Sequence, residues 1–510
     1  MTDTTSDDDY KKVSDGSDNT DSLNTSDENK DINPEDKDVK PEEIKIRKGA
    51  KKPETKPKST KVYIADGKKS DTFDPYQVAV AILQERIVYY DSKEDDVYYY
   101  KDGIYTEATP LIRGFAVRLM QRDYYSSVLK NIRDILKELS QEVVDNPLFQ
   151  DNGLEKVNVF IEPPPYWVLF KDCVYNMKTG EIMEQNPAYV FRDGQRIEFN
   201  LRGEVSNDFE KIVRKEKGGI LNEVQYDLFF EFLGYSFFRS YSIPAYLIVA
   251  GDGGNGKSTL FEILRSLFGT SMQSLPFTAL LSAERRINLY NTFCNAVSET
   301  PPDKLILTED FKSLTSGDAV ATRKLYHTET ASQPFYTKYF FFGNNVPEVR
   351  DDSHGFSRRI YFIELLDKIS GITKDQMLLM LQREDYKRWL FYEAVRGFQR
   401  LTEKGSFTSQ DGEENGSRRY RIVSNSIKYF LEKVVEVGDK DGYEIERGKL
   451  YSYYEIFSKL KHVKCRSKIA FYNLVREYFG ENIHEIENQT AGHIRLFVGI
   501  RVKENWEENI

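Results

Sequence analysis

Between Gly251 and Thr259 the chain reads Gly-Asp-Gly-Gly-Asn-Gly-Lys-Ser-Thr, which fits the spacing GxxxxGK[ST]. Glycines so spaced let consecutive backbone N–H groups converge on an anion without Cβ interference, and the amino terminus of a following helix adds partial positive charge. Gly251, Gly253, Gly254, Asn255, Gly256, Lys257, Ser258 and Thr259 are therefore the candidate phosphate cradle. In that reading Lys257 reaches the β and γ phosphates and the Ser258 hydroxyl ligates Mg²⁺, so the implied cofactors are ATP and Mg²⁺. The plainer alternative is a glycine-rich surface loop. The apolar run Tyr246–Ala250 before the motif, and a helix-like segment from Ser258 to Phe268 that Gly269 can stop, favour the nucleotide site.

Hydrolysis further needs an acid that orients and polarises water, at the end of a strand next to the phosphate strand. Phe293–Thr300 is a short apolar stretch ending in Ser298-Glu299, so Glu299 is the candidate base and, with Ser258, the candidate metal residue. Standing alone it would be an ordinary strand-end acid. A second such stretch, Tyr339–Phe342, ends in Gly343-Asn344-Asn345-Val346-Pro347. An amide at a strand tip can hydrogen-bond the lytic water or leaving phosphate without adding negative charge, which suits Asn344; an Asn-rich turn is the alternative. Arg358-Arg359 offers guanidinium groups for γ-phosphate charge, supplied in ring ATPases by the neighbouring subunit; a surface Arg pair is the common alternative.

These residues must be held by several elements, and 510 residues allow about three or four domains. Residues 1–70 are nearly devoid of large apolar side chains and read as a disordered leader. Residues 1–40 hold 13 Asp or Glu against 5 Lys, while 41–70 hold 10 Lys or Arg against 4 acids; a DNA-binding arm at Lys48–Lys69 is the sharper reading of that basic run. The formal charge of -10 then leaves any nucleic-acid site to a local patch. Residues 71–215 read as an α+β module, with a helix from Pro75 to Tyr90, a helical stretch Leu111–Leu139 and strands near Trp167–Phe170, Cys173–Asn176 and Glu181–Met183. The acids Glu94-Asp95-Asp96 read as a solvated loop and not as metal ligands. Residues 216–405 alternate helices and strands, as an α/β core with the nucleotide at its carboxyl edge requires.

A polar, Gly-containing linker (406–422) leads to 423–505, read as three helices (Ser424–Val435, Arg447–Leu460, Ser467–Phe479) and two strands around Gln489–Gly492. That order is a winged helix, in which the third helix and the wing approach duplex DNA. Lys461, Lys464, Arg466, Lys468 and Arg495 supply its phosphate contacts; a protein-binding winged helix is the alternative. Three dispersed cysteines without a CxxC indicate neither a disulfide framework nor a zinc cluster and point to a reducing, cytoplasmic setting. No apolar run reaches the ~20 residues of a membrane span.

The order of motifs resembles the superfamily 3 helicases, specifically the phage and plasmid primase-associated family that includes the poxvirus-type primase-helicase. The matching stretches are Gly251–Thr259, Ser298-Glu299-Thr300, Glu309–Asp318 (EDFKSLTSGD), Arg323–Tyr326, Asn344–Pro347 and Arg358-Arg359, and the likeness covers roughly residues 75–435. Ser298 and Ser316 are departures from it. The resemblance implies an AAA+-like P-loop core that assembles into a hexameric ring, with ATP between subunits, moving 3′ to 5′ on single-stranded DNA. It places Arg323, Lys324, Tyr326 and His327 on a channel hairpin that tracks DNA; for Tyr326 and His327, packing within the hairpin is the alternative. Primases and rolling-circle nickases that rely on histidine are not expected, because the first histidine is His327, so a separate primase or polymerase is an expected partner. The function expected is an ATP-dependent replicative helicase of a virus or plasmid. The alternatives are an origin-binding initiator that uses ATP as an assembly switch, and a DNA-packaging motor.

Overall fold

The computed structural model describes residues 74–509 except 93, 121–125, 143–159, 300–308, 324–330, 345–358, 370–372, 410–416, 440–441 and 489–493. The 1–70 leader, Lys324, Tyr326, His327 and Arg358 lie outside the described residues. The chain from Thr72 to Ile510 is one compact unit with a mixed α/β architecture.

Its centre is a five-stranded, all-parallel sheet in the order Ile360–Leu365, Tyr246–Gly251, Lys338–Gly343, Cys294–Val297, Met272–Gln273. A parallel sheet needs both faces covered, which is why these strands are continuous apolar runs. Alternate residues serve two cores. Leu247, Val249, Phe340, Phe342 and Ile363 point into a core shared with the helices Glu223–Phe237, Lys257–Phe268 and Glu384–Lys404. Tyr246, Ile248, Tyr339, Phe341 and Phe362 face the opposite way, against Leu280, Phe311 and Leu314.

The order corrects one expectation. The acid-ended strand Cys294–Val297 does not neighbour Tyr246–Gly251, the strand that leads into the glycine loop; the Asn-ended strand Lys338–Gly343 lies between them. Lys338 anchors that middle strand. It is fully buried, and its ammonium donates to the carbonyls of Phe238 (2.9 Å), Ser240 (2.8 Å) and Tyr336 (2.6 Å). The rings of Tyr235 and Tyr241 lie 4.4 and 4.3 Å from it. Burial pushes this ammonium well below the usual lysine range, while three carbonyls and two ring faces hold its proton in place.

Towards the amino terminus, the helices Pro75–Glu85, Thr109–Met120 and Ser126–Glu142 pack with an antiparallel sheet (Val88–Asp91, Asp96–Lys101, Ile104–Glu107) around their own core, from Val78 to Leu139. The helix expected to run to Tyr90 stops at Glu85, and Val88–Asp91 is a strand paired with Asp96–Tyr99. β-branched and aromatic residues favour that pairing over further helix. Glu94, expected in a solvated loop, is instead 15% exposed and accepts hydrogen bonds from Tyr98, Tyr290 and Arg192. Arg192 also pairs with the buried Asp91. A second small sheet (Ile182–Met183, Val174–Asn176, Trp167–Phe170, Arg196–Ile197) shares the central core: Phe170 and Tyr175 stack edgewise on Phe391 at 4.8 and 5.2 Å. The apolar core thus runs continuously across residues 215 and 216.

At the carboxyl end, helices Ser426–Val434, Arg447–Leu460 and Lys468–Phe479 enclose a separate core, with strands Glu444–Glu446, Ile494–Val498 and His484–Asn488 as an antiparallel sheet. The three cysteines are free; Cys173 and Cys294 are buried and Cys465 is exposed. Among the described residues no helix is long and apolar enough to cross a membrane.

Candidate functional site

The strand Tyr246–Gly251 runs into a glycine loop and the helix Lys257–Phe268. Gly256 is the turning point, at φ +95°. A Cβ there would drive into Ile369 and Ile220, so only glycine combines this backbone with this packing. At Gly251 a Cβ would collide with the Asn255 amide and the Leu365 carbonyl. Gly253 and Gly254 differ: a Cβ on either meets no protein atom within 4 Å, and both line a cavity of about 380 Å³. That space is the cradle a side chain would fill, and its volume is in the range of small-molecule sites.

Lys257 stands at the cavity wall. Its ammonium donates to the Gly251 carbonyl (2.6 Å), the Asp252 carbonyl (2.7 Å) and the Asn255 side-chain oxygen (3.0 Å). Burial lowers its pKa, and the nearby Asp252 opposes that shift. A partly desolvated ammonium held only by neutral carbonyls gains by meeting an anion. Asn255, 2% exposed, uses its other end to donate to the Leu365 carbonyl at 2.6 Å. The Ile369 N–H donates to Gly254 O at 3.0 Å. The loop is therefore fastened to the outer strand Ile360–Leu365 and the residues just after it.

The same cavity is lined by Ser258, Thr259 and Asn344. The middle strand pairs Gly343 with Ala250, so Asn344 is carried to the loop's own level. Glu299 follows the next strand, whose Val297 pairs with Phe341. It is exposed at the same carboxyl edge, two strand spacings, roughly 10 Å, from the strand Tyr246–Gly251. The structure thus gathers Lys257, Ser258 and Asn344 around one cavity and leaves Glu299 one strand further out. Among the described residues no cluster of three or more His, Cys, Asp or Glu forms. The oxygen donors at hand are the Ser258 hydroxyl and single acids, a set that suits a hard cation held jointly with phosphates.

Arg359 sits at the opposite edge of the sheet, just before Ile360, and its guanidinium donates to the Ser316 hydroxyl of the same chain at 3.0 Å. The strands Ala319–Thr322 and Ala331–Pro334 form an antiparallel pair joined through residues 323–330. Of the expected channel residues Arg323 alone is described; it is exposed and paired with Glu284. In the carboxyl-terminal unit Lys464, Arg466, Lys468 and Arg495 are exposed, while Lys461 is half-buried.

The apolar lining of the cavity had no signature in the sequence. Ile212, Ile220, Ile369 and Met377 supply it, together with Lys211 and Thr373, and Ile220 and Ile369 pack directly on Gly256. They come from segments some 40 residues before the loop and 110 after it, and only the folded chain brings them together. Apolar side chains beside a glycine loop give a cavity of mixed character, as small-molecule sites have.

Residues 249–359 match a family model described as a family of unknown function, DUF5906. A protein of Acanthamoeba polyphaga mimivirus named "Putative helicase L207/L206" is 23% identical over 267 residues, 47% of this chain. The alignment spans 26% of that protein, about a quarter of its length. Solved structures of the NrS-1 C-terminal region align over 84% of this chain and 99–100% of theirs, at 12% identity and TM-scores of 0.37 to 0.38.

Proposed function

We propose that the protein is an ATP-dependent DNA helicase of superfamily 3 that serves viral or plasmid genome replication. The observation that carries this reading is the cavity in which Lys257, Ser258 and Asn344 meet at the carboxyl edge of a parallel sheet, with Glu299 on the next strand. The name of the mimivirus relative supports it.

In this reading the core is an AAA+-like P-loop fold and ATP is the substrate. The glycine loop and the amino end of helix Lys257–Phe268 cradle the phosphates, and the apolar lining supplied by Ile212, Ile220, Ile369 and Met377 takes the base. Lys257 turns from its carbonyl partners to the β and γ phosphates. Ser258, with Glu299, would hold Mg²⁺, which when bound neutralises phosphate charge. Glu299 orients and deprotonates the attacking water. Asn344 hydrogen-bonds that water or the departing phosphate, and an arginine from the neighbouring protomer meets the charge of the transition state. Because Arg359 is engaged by Ser316 in its own chain, Arg358 takes that role. The assembly is a homohexameric ring, the hairpin Arg323–His327 tracks single-stranded DNA in its channel, and the carboxyl-terminal winged helix meets duplex DNA through Lys464, Arg466 and Lys468. A separate primase or polymerase supplies synthesis.

Strand displacement on a 3′-tailed duplex tests the proposal. Lys257→Ala is expected to lose nucleotide binding, and Glu299→Gln to bind nucleotide but neither hydrolyse it nor unwind. Full unwinding by the Glu299→Gln protein would sink the mechanism and favour an initiator that uses ATP for assembly.

A further inference from the structure

The nucleotide site and the basic loop of the carboxyl-terminal unit are joined by two runs of hydrogen bonds that meet at adjacent residues, Leu365 and Glu364, at the end of one strand. Lys257 donates to the Asn255 side-chain oxygen at 3.0 Å, and the Asn255 amide donates to Leu365 O at 2.6 Å. The residue before Leu365 is Glu364, whose carboxylate, 15% exposed, accepts from Arg419 Nε at 2.6 Å. The Glu364 carbonyl is also used, by Gln225 at 2.8 Å, so this strand end is held on both sides. Arg419 lies on the helix Ser417–Ser424, and its two terminal nitrogens continue outward. Nη1 donates to Lys461 O at 2.5 Å and Nη2 to His462 O at 3.3 Å. His462 takes a left-handed backbone, φ +51°, uncommon for a residue with a side chain. These two carbonyls begin the loop that carries the exposed Lys464 and Arg466 and leads to the exposed Lys468 at the start of the helix Lys468–Phe479.

One guanidinium thus spans two cores, with a carboxylate of the central sheet on one nitrogen and the carbonyls of the basic loop on the others. Only the planar, five-donor group of arginine can serve both sides at once. The group that would move is Lys257, which here holds the Gly251 and Asp252 carbonyls and Asn255. Reaching a phosphate means giving up its bonds to the loop carbonyls and to Asn255, which frees one end of the amide whose other end holds Leu365.

We infer that Arg419 is a positioning residue that couples nucleotide occupancy of the phosphate loop to the placement of the 461–468 loop, and hence to its grip on nucleic-acid phosphates. This rests on the nucleotide-binding reading proposed above. Coupling between two binding sites is reciprocal, so nucleotide should change duplex affinity by the same factor as duplex changes nucleotide affinity.

The test uses the full chain with a non-hydrolysable ATP analogue, following hydrogen exchange and the binding of a fluorescent 20-base-pair duplex. In the unaltered protein the analogue is expected to protect 251–260, to change exchange in 461–468, and to shift duplex affinity by about 5-fold or more. With Arg419→Ala, protection of 251–260 should persist while the response in 461–468 is lost and the affinity ratio falls to about 1. Glu364→Gln, which keeps the size of the side chain, should reduce the ratio, and Arg419→Lys should restore it only in part. A response in 461–468 that survives Arg419→Ala overturns the inference, as does its absence in the unaltered protein while 251–260 is protected. Failure of the analogue to protect 251–260 in the unaltered protein overturns the nucleotide reading itself, and the coupling with it.

Discussion

Single residues in the glycine loop divide into those that shape the protein and those that make room for something else. Gly256 belongs to the first kind, with a left-handed backbone packed on Ile220 and Ile369. Gly253 belongs to the second, with an ordinary backbone and no protein atom near its missing side chain. We predict that Gly253→Ala keeps the melting temperature of the parent yet weakens nucleotide binding at least ~10-fold, since about 1.4 kcal/mol of lost contact is tenfold. Gly256→Ala should lose both binding and about 1 to 2 kcal/mol of stability through backbone strain alone. Thermal melts alongside titration with a fluorescent nucleotide separate the two; equal loss of stability in both variants would contradict the cradle. The glycine motif was legible because its chemistry is local: the loop, its lysine and the helix that follows are contiguous. The apolar lining of the cavity was not, since Ile212, Ile369 and Met377 are ordinary apolar residues until distant segments converge.

Among the elements, the middle strand of the sheet carries more than its sequence declares. Tyr339–Phe342 was readable as a buried strand ending in an amide, but its place between Tyr246–Gly251 and the acid-ended strand was not. Strand adjacency is decided by crossovers through space, and a parallel sheet leaves no turn signature to announce it. The helix Lys257–Phe268 was readable nearly to the residue, because Gly269 breaks it. The amino-terminal helix was overrun, because Val88–Asp91 is committed to strand pairing by partners further along the chain. Lys338, a residue without a motif, pins the base of the strand that delivers Asn344. Replacing it with methionine fills a similar volume but strips the donor from three partly buried carbonyls. We expect Lys338→Met to cost about 3 kcal/mol or more, at about 1 kcal/mol or more per orphaned group. Urea unfolding measures this, and an unchanged midpoint would show that the ammonium contributes nothing net.

At the scale of the whole molecule, two behaviours follow. If an arginine acts between protomers, ATPase activity per subunit must rise with concentration and be rescuable by mixing. Arg358→Ala protein mixed with Lys257→Ala protein should recover activity, because each protomer supplies what the other lacks; no recovery at any ratio would rule out an arginine supplied in trans. Arg359→Ala, by contrast, should act through stability, as loss of its bond to Ser316 predicts. The second behaviour concerns alkali. Burial pushes the hydroxyls of Tyr226, Tyr336 and Tyr361 up to about 12. A group whose pKa is higher folded than unfolded stabilises the fold in full below its unfolded value, near 10, and that contribution is lost as pH rises through the folded value. Stability should therefore decline between about pH 10 and 12, with tyrosinate absorbance lagging behind that of free tyrosine and appearing together with the loss of circular dichroism. A tyrosinate signal complete by pH 10.5 in folded protein would refute it.

The apolar interior has a calorimetric consequence. The residues between Val168 and Phe407 that build one continuous core should melt as a single endotherm, whereas Val78–Leu139 and Ile422–Trp506 have cores of their own and are free to give separate peaks. A nucleotide at one hundred times its dissociation constant adds about 2.7 kcal/mol only to the unit that binds it. The heat trace would then move one peak, and that peak should contain the 168–213 segment as well as the sheet.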